Sequence, residues 1–319
     1  MNKVLITNGA SMKISSAVRH QMIAKARAAI DHGLVLGNPM GVRAPRTEPG
    51  LVAAVTTYAI PRIARDWRRI LKPLRTQFEI SAVFTHQAPK VRFASGIKAR
   101  ATCELADLLI VVDDARTGRR QAALIQAKMA GQRGTVQISR QQDKLQLELF
   151  QKWPRFDFEE PIYNLAGVDF HSGGSAAECG RYGVIDRHLI SPPIWSQMPP
   201  STVPGKTLGA PMLADFIVGL VSNRVGREAT PSLASDWSKT VEALMTVTYG
   251  RFSHQRQSLG PLAFPRGNTT QAFLLQGSVI QTSVSTDGLL PVDAEPEPVF
   301  IDEEPPNGAL SVIRIGLPE

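Results

Sequence analysis

The chain has 319 residues, of which 43% are hydrophobic and 20% are charged. Its longest aliphatic run is Leu108 to Val112, far short of the ~20 apolar residues of a membrane helix. The N-terminus lacks the apolar core of a signal peptide, and two cysteines, Cys103 and Cys179, are too few for a disulfide framework. These features predict a globular protein of the cytoplasm with no membrane contact.

The net charge of +8 is divided unevenly along the chain. Residues 1–150 hold 24 Lys and Arg against 10 Asp and Glu, a net charge of +14, whereas residues 151–319 hold 12 against 18, a net charge of −6. A basic half of this size attracts polyanions, of which nucleic acid is the commonest, although a solubilising surface has the same composition. Charge alone leaves both interpretations open.

Helical periodicity dominates the first part of the chain. It covers residues 13–31, with Gly33 expected to end the helix, and a second helix is expected from about Leu51. Pro61 fits the first turn of a third, amphipathic helix over residues 61–72. The basic face of that helix either contacts the phosphates of a nucleic acid or is simply solvated. The cations of this face are Arg62, Arg65, Arg69 and Lys72.

Beyond Pro73 the pattern changes to short apolar runs. Residues 78–85 predict a strand, and residues 90–93 predict a second one that extends it or pairs with it. Residues 105–112 and 122–127 are apolar on both faces, which is typical of strands inside a covered sheet. The loop between these two strands suits a hairpin. A helix is then expected over residues 137–152, strands at 162–170 and 181–190, and helices at 211–223 and 235–246.

These elements predict an α/β fold with a mixed central β-sheet flanked by helices and a helical accessory region. We expect residues 1–200 to form the core with its N-terminal helices, and residues 201–285 the accessory region, because a Pro-rich segment lies near residue 200. Residues 286–319 are acidic and predicted to be a mobile tail. The opposite charges of tail and basic half suggest that the tail restrains the basic cleft until substrate displaces it.

The predicted hairpin brings polar residues together. If it turns at Thr117 and Gly118, cross-strand partners sum to about 235, so Asp107 lies opposite Lys128. Gln126 is two residues from Lys128 and shares its face. A buried Asp and Lys here either form an ion pair or hold something between them. The second interpretation fits metal-dependent phosphodiester hydrolysis, because carboxylate and carbonyl oxygens bind Mg²⁺ while an ammonium stabilises phosphate charge.

The run CELADLLIVV, then Gln126-Ala127-Lys128 and then a helix, resembles the PD-(D/E)XK nuclease superfamily. Its third motif is Q-x-K here, where most members have an acid; this departure occurs in branches that resemble the Mrr-type restriction enzymes. The resemblance covers roughly residues 48–153, about a third of the chain. It implies a restriction-endonuclease-like core over residues 48 to about 200.

The resemblance also implies roles for the residues of the hairpin. Asp107 would be the main metal ligand, Gln126 a second ligand or a residue that holds water, and Lys128 the catalytic lysine. The backbone carbonyl of Ala127 would join the coordination sphere of an Mg²⁺ or Mn²⁺ ion. Glu104 is a further candidate catalytic carboxylate at the strand entrance, although its strand parity is opposite to that of Asp107.

Members of the superfamily often add a glutamate from the helix that precedes the sheet. The candidates for this carboxylate are Glu48, Asp66 and Glu79, and their spacing in the sequence does not favour one over the others. Five further residues before the hairpin are candidate nucleic-acid contacts, or else a solvated strand face and an unremarkable loop histidine. These are His86, Lys90, Arg92, Lys98 and Arg100.

The expected function is therefore Mg²⁺-dependent endonucleolytic cleavage of DNA, in a pathway of restriction, repair or defence. The resemblance implies a homodimer, with the helices after residue 210 as its interface, and leaves room for an activating ligand or partner protein. One alternative is a nucleic-acid-binding module in which the nuclease fold has lost catalysis and keeps the Asp and Lys for structure. Another is an RNA nuclease that uses the same chemistry.

Overall fold

The chain forms a mixed α/β structure in which helices flank a mixed central sheet, as the sequence predicts. The computed structural model describes residues 14–37, 47–74, 76, 78–85, 89–131, 134–186, 193–207, 209–254, 270–276, 279–281, 299–301 and 309–317. The α-helices within these ranges are α1 (Ser16–Leu36), α2 (Glu48–Ala54), α3 (Ile60–Leu71), α4 (Gln141–Lys152), α5 (Leu213–Val221) and α6 (Asp236–His254). The strands are β1 (Glu79–Thr85), β2 (Lys90–Phe93), β3 (Ala101–Glu104), β4 (Leu108–Asp114), β5 (Arg119–Met129), β6 (Phe156–Phe158), β7 (Gly180–Asp186), β8 (Ile194–Met198), β9 (Arg227–Glu228), β10 (Thr270–Gln276), β11 (Val279–Gln281), β12 (Val299–Ile301) and β13 (Ser311–Leu317).

The central sheet has the strand order β11-β10-β1-β13-β4-β5-β7-β8, with β12 paired to β10 and β9 paired to β5. Strands β4 and β5 form the predicted antiparallel hairpin. Strand β13 runs parallel to β4, and β7 runs parallel to β5, so the hairpin has a neighbour on each side. The hairpin therefore occupies the middle of the sheet, where its apolar character on both faces is satisfied.

The prediction of a mobile acidic tail is wrong for residues 309–317. These residues include β13, which lies between β1 and β4 with Val312 packed on one face of the sheet and Ile313 and Ile315 on the other. An apolar strand of this kind is stable in the centre of a sheet, and its deletion would remove core rather than uncover a cleft. Acidic residues 287–297 and 302–304 lie outside the described residues.

Each face of the central sheet carries its own hydrophobic layer. Helices α1, α2, α3 and α5 cover one face, where they pack on Ile110 and Ile125. Helices α4 and α6 and a second sheet, of strand order β3-β2-β6, cover the other face around Leu109 and Leu124. Helices α5 and α6, from the predicted accessory region, thus contribute to the same two layers as the elements before residue 200.

Two helix boundaries differ from the prediction. Helix α1 continues through Gly33 and ends at Gly37, because Gly33 allows close packing: a Cβ atom there would lie 3.1 Å from the carbonyl oxygen of Ala54. Helices α2 and α3 are joined by a π-helical turn over Val55–Ala59, directly before Pro61. Pro61 does lie in the first turn of α3, and the wider turn before it accommodates a residue without an N–H group.

Several strand predictions need correction. The strand predicted over residues 105–112 begins only at Leu108, because the chain leaves the second sheet at Glu104 and then crosses to the central sheet. Strand β2 does not pair with β1 but with β3 and β6. Residues 162–170 do not form a strand; they contain the end of a short 3₁₀ helix and an isolated bridge at Val168.

The hairpin register also differs from the prediction. Leu108 lies opposite Ile125, so the position opposite Asp107 is that of Gln126 rather than Lys128. The error is two residues, and a shift of two keeps every side chain on its face of the sheet. Asp107, Gln126 and Lys128 therefore still share one face, the face covered by α4.

None of the helices in the described ranges combines the length and the apolar character that a bilayer-spanning segment requires.

Candidate active site

Asp107 lies at the point where the chain leaves the second sheet and enters the central one. Its backbone N–H donates to the carbonyl oxygen of Ile125 at 3.0 Å, which continues the hairpin ladder by one bond. Before Asp107 the chain diverges toward β3, so within the described ranges no strand lies beside β5 on this side from residue 127 onward. The side chain of Asp107 occupies that gap and accepts the N–H of Ala127 at 2.7 Å. The fork between the two sheets thus fixes the position of this carboxylate.

Gln126 is the direct neighbour of Asp107 in the site. Its side-chain amide nitrogen Nε2 donates to Oδ2 of Asp107, and its side chain is 1% exposed. Its other polar atom, Oε1, is buried and has no hydrogen-bond partner among the described residues. An acceptor that is buried without a donor is costly, so this oxygen is free to bind a cation or a water molecule.

The backbone of Ala127 faces the same gap. In a β-strand the N–H and C=O groups of one residue point to the same side, and the N–H of Ala127 points to Asp107. Its carbonyl oxygen therefore points toward the edge that β4 has left. This orientation agrees with the predicted role of the Ala127 carbonyl as a ligand.

Lys128 lies between two carboxylates from two different helices. Its ammonium nitrogen Nζ is 3.1 Å from Oδ1 of Asp143 in the first turn of α4 and 3.6 Å from Oε1 of Glu48 at the start of α2. The lysine side chain is 13% exposed, and those of Glu48 and Asp143 are 24% and 18% exposed. The partner of Lys128 is thus not Asp107 alone, as the sequence suggested, but a group of acids.

The structure separates the three candidates for the additional carboxylate. Glu48 reaches the site, where it also accepts the backbone N–H of Met129. Asp66 instead contacts Arg69 on α3 at 3.9 Å, and Glu79 is paired with Gly316 between β1 and β13. Of these three acids Glu48 is the one that lies at the cluster, because α2 begins where β5 ends.

The electrostatics of the cluster reflect an excess of acid. Burial and the nearby Glu48 carboxylate raise the pKa of Asp107 well above its usual value, although Lys128 and the N–H of Ala127 oppose the shift. Burial likewise raises the pKa of Glu48. Burial lowers the pKa of Lys128, but Glu48, Asp107 and Asp143 outweigh this effect, and the pKa is raised overall. The lysine is therefore a fixed cation at neutral pH, surrounded by carboxyl groups that repel one another.

Glu104 is placed beside the cluster rather than within it. It is exposed at the end of β3, opposite Lys90 in the second sheet. Its negative charge contributes to the raised pKa of Asp107, which shows that the two carboxylates are near each other. Glu104 belongs to a strand of the second sheet and therefore borders the cluster from outside the central hairpin.

Two residues of the site were not anticipated from the sequence. The sequence did not single out Asp143, because acids are common in the first turn of a helix, where they interact favourably with the helix dipole. Tyr182 lies on β7 directly beside Gln126, and its hydroxyl is buried with no hydrogen-bond partner in the described part of the chain. Burial, with smaller contributions from Cys103 and Asp143, raises the pKa of this phenol. No sequence signal marked Tyr182, because its place depends on the β5–β7 register.

The basic stripe of α3 is present but extends away from the site. Glu48 begins the continuous helical segment α2–α3, and at about 1.5 Å per residue Arg62 lies roughly 20 Å and Lys72 roughly 35 Å further along the axis. Arg65 and Arg69 share this helix, and Arg69 contacts Asp66. The stripe is therefore not part of the acidic cluster.

The predicted contacts around β2 form a surface of mixed charge. Lys90, Arg92, Lys98 and Arg100 are all exposed. Lys90 lies opposite Glu104, and Arg92 is 4.0 Å from Asp157, so acids accompany the cations of this strand. His86 lies outside the described residues.

Exposed cations also border the outer side of α4. Lys144 and Lys152 lie two turns apart on one side of this helix, with Glu148 between them. Together with Gly96 and Ile97 they line a groove of about 340 Å³. Lys144 directly follows Asp143 in the chain, so the groove begins next to the cluster around Lys128.

Among the described residues, no three His, Cys, Asp or Glu side chains form a group able to hold a metal ion. The donors at the fork are instead of mixed type, namely the carboxylates of Asp107 and Glu48, the Gln126 amide oxygen and the Ala127 carbonyl. Comparison of the chain with protein-family models, with curated proteins and with solved structures found no match.

Proposed function

We propose that the protein is a metal-dependent DNA endonuclease that hydrolyses phosphodiester bonds at the cluster of Asp107, Gln126 and Lys128. One observation carries this proposal: the Glu48 and Asp143 carboxylates contact the Lys128 ammonium at the fork between the two sheets, and the buried Asp107 lies close enough that it and Lys128 affect each other's pKa. A structural ion pair needs one acid, and an excess of partly buried acids favours a bound cation.

The donor set fits Mg²⁺ or Mn²⁺. Both ions prefer oxygen ligands, and the chain offers Asp107, Glu48, the carbonyl of Ala127 and the amide oxygen of Gln126. The fit rests on Gln126, whose buried Oε1 has no donor in the described part of the chain, while its Nε2 donates to Asp107. A divalent ion held there would lower the pKa of a bound water and neutralise phosphate charge.

The groups of the chain itself would bind and orient the substrate. Lys128 is charged at neutral pH and is held between Glu48 and Asp143, so it is suited to stabilise negative charge on phosphate oxygens rather than to act as a base. Gln126 keeps Asp107 in one orientation through its amide hydrogen bond. Among the described residues no strand covers β5 on the side where β4 has diverged.

The arrangement of elements also supports the restriction-endonuclease-like core that the resemblance implies. An apolar strand preceded by Asp107 pairs with a strand that carries Q-x-K, and helix α4 follows. A glutamate from a helix that precedes the sheet, Glu48, reaches the same site. Strand β13 between β1 and β4 is an addition from the far end of the chain.

DNA is the substrate that the charge distribution favours. Residues 1–150 have a net charge of +14, and the exposed Lys144 directly follows Asp143 in the chain. Both cysteines are free and buried, which agrees with the cytoplasmic location expected from the sequence.

The test is cleavage of supercoiled and linear DNA, read on a gel with Mg²⁺, Mn²⁺ or a chelator. The parent protein should nick or linearise DNA only with metal, and Asp107→Ala should not. Lys128→Met should also abolish cleavage yet remain folded, because Asp107 and Glu48, whose pKa values are already raised, take up protons when the ammonium is removed.

Other outcomes would redirect the assignment. Salt-sensitive DNA retention without cleavage would favour a binding module that has lost catalysis. Cleavage of RNA but not DNA under the same conditions would retain the chemistry and replace the substrate. If Lys128→Met unfolded the protein while Asp107→Ala still cleaved DNA, the cluster would be structural and the proposal would be wrong.

A further inference from the structure

The two carboxylates that hold Lys128 approach it from opposite sides of the sheet. Glu48 belongs to α2, which packs on one face, and Asp143 belongs to α4, which packs on the other. Asp143 is the nearer partner, at 3.1 Å against 3.6 Å. Lys128 itself extends from β5 between these helices, so its position is set from two independent elements.

The two partners differ in what else they are available for. Glu48 is near enough to Asp107 to raise the pKa of that carboxyl, and it belongs to the donor set of the proposed metal. A metal ion and Lys128 would therefore compete for Glu48. Among the described residues the ion pair of Asp143 is with Lys128, and Asp143 lies in the first turn of a helix, where negative charge is favoured.

Helix α4 holds Asp143 firmly. Leu145, Leu149 and Phe150 are buried against the central sheet, and the side chain of Gln142 donates to the carbonyl oxygen of Thr102 at 3.4 Å. A carboxylate on a helix anchored at this many points has little freedom to move, which is what a positioning group requires.

We propose that Asp143 is a positioning residue that keeps the Lys128 ammonium in place when Glu48 binds the metal. This inference rests on the proposed function. Without Asp143, Lys128 would pair with Glu48 alone and withdraw that carboxylate from the metal. Loss of Asp143 therefore weakens metal binding and displaces the lysine from the phosphate, although Asp143 touches neither.

The first test measures metal affinity without cleavage. Free Mn²⁺ is followed by electron paramagnetic resonance during titration into the full-length protein and its variants. Asp143→Asn should weaken Mn²⁺ binding several-fold, and Asp143→Glu should restore most of it. Asp215→Asn is the matched control, because Asp215 also lies in the first turn of a helix, α5, on the other face of the sheet, and it should leave Mn²⁺ binding unchanged.

A double-mutant cycle then shows whether Asp143 acts through Lys128. In the Lys128→Met background, Asp143→Asn should change Mn²⁺ affinity little, because the competition for Glu48 is already gone. An equal loss in both backgrounds would mean that Asp143 acts on the metal directly, and the positioning role would be overturned. Thermal unfolding of each variant verifies that the protein is folded.

Kinetics separate this inference from the proposed function. With DNA and Mg²⁺, Asp143→Asn should lower kcat by about 10²-fold, the effect expected of a displaced catalytic group, with KM changed less than threefold. If the parent cleaves DNA and Asp143→Asn retains kcat and Mn²⁺ affinity, only the positioning role fails. If the parent neither binds Mn²⁺ nor cleaves, the proposed function fails and the inference fails with it.

Discussion

The two ends of the β4–β5 hairpin carry charged clusters that differ in balance. At the turn end, Asp113 accepts hydrogen bonds from Arg120 at 2.5 Å and from Arg314 at 2.6 Å, and Arg120 also donates to Glu242 at 2.5 Å. Two acids thus meet two cations, and the network joins β4, β5, β13 and α6. Such a network satisfies its own charges and holds elements together.

At the other end, the acids outnumber the cations. Glu48 and Asp143 contact one ammonium group, Asp107 lies nearby, and Gln126 leaves its Oε1 without a donor among the described residues. The same hairpin therefore carries one cluster that is complete and one that is not. A charged pair in a sheet is weak evidence of function; the imbalance is what distinguishes the site from the structural network.

The largest expected difference between the two ends concerns activity. Asp107→Asn should lower DNA cleavage by at least about 10³-fold, since it removes the central carboxylate of the site. Asp113→Asn, the same change at the turn end, should leave the rate within twofold. Cleavage rates of both variants, measured with Mg²⁺ under single-turnover conditions, would test the contrast. Equal rates for the two variants would remove the distinction between the ends.

The second difference concerns stability, and here the larger loss is expected at the turn end rather than at the site end. Asp113→Asn should lower the free energy of unfolding by about 2 kcal/mol, because Arg120 is only 11% exposed and loses a partner. Asp107→Asn should cause no loss, since it relieves repulsion from Glu48 and keeps a side chain that accepts the N–H of Ala127. Urea unfolding of both variants without metal provides the measurement. A larger loss for Asp107→Asn would indicate that the site end is structural.

Part of this contrast was predictable from the sequence. Strand parity placed Asp107, Gln126 and Lys128 on one face even though the register was two residues off, because parity has a period of two. Asp143 and Tyr182 were not predictable, since their places depend on how α4 and β7 pack on β5. The central position of β13 depends on its pairing with β4, which lies some 200 residues earlier in the chain. Local periodicity does not encode such a pairing.

A third prediction concerns which end of the hairpin the DNA covers. Lys144→Ala, beside the site end, should weaken DNA binding several-fold and reduce the slope of log affinity against log salt by about one. Arg119→Ala, at the turn end, should change binding less than twofold, because Arg119 is paired with Glu228 at 2.8 Å. Binding is measured by fluorescence anisotropy with a chelator present to prevent cleavage.

The same assay tests the basic stripe of α3. Lys72→Ala should behave like Arg119→Ala, since Lys72 is exposed but roughly 35 Å along the helix from Glu48. A loss of affinity for Lys72→Ala as large as that for Lys144→Ala would mean that the DNA follows α3 as the sequence suggested. The groove on α4 would then not be the main contact.

The smallest effect compares the two thiols, of which Cys103 lies near the site end and Cys179 beside Arg227. Burial raises the pKa of each to about 12 from an ordinary value of 9.0. At pH 8 only about one thiol in 10⁴ is then ionised, so neither should react with a thiol reagent in the folded protein, and both should react in guanidinium. Because burial raises the pKa of both thiols, their contribution to the free energy of unfolding is fully present below pH 9 and is lost as the pH rises toward 12.

Labelling of Cys103 at pH 8, located by mass spectrometry, would show instead that the site end opens while the rest of the sheet stays closed.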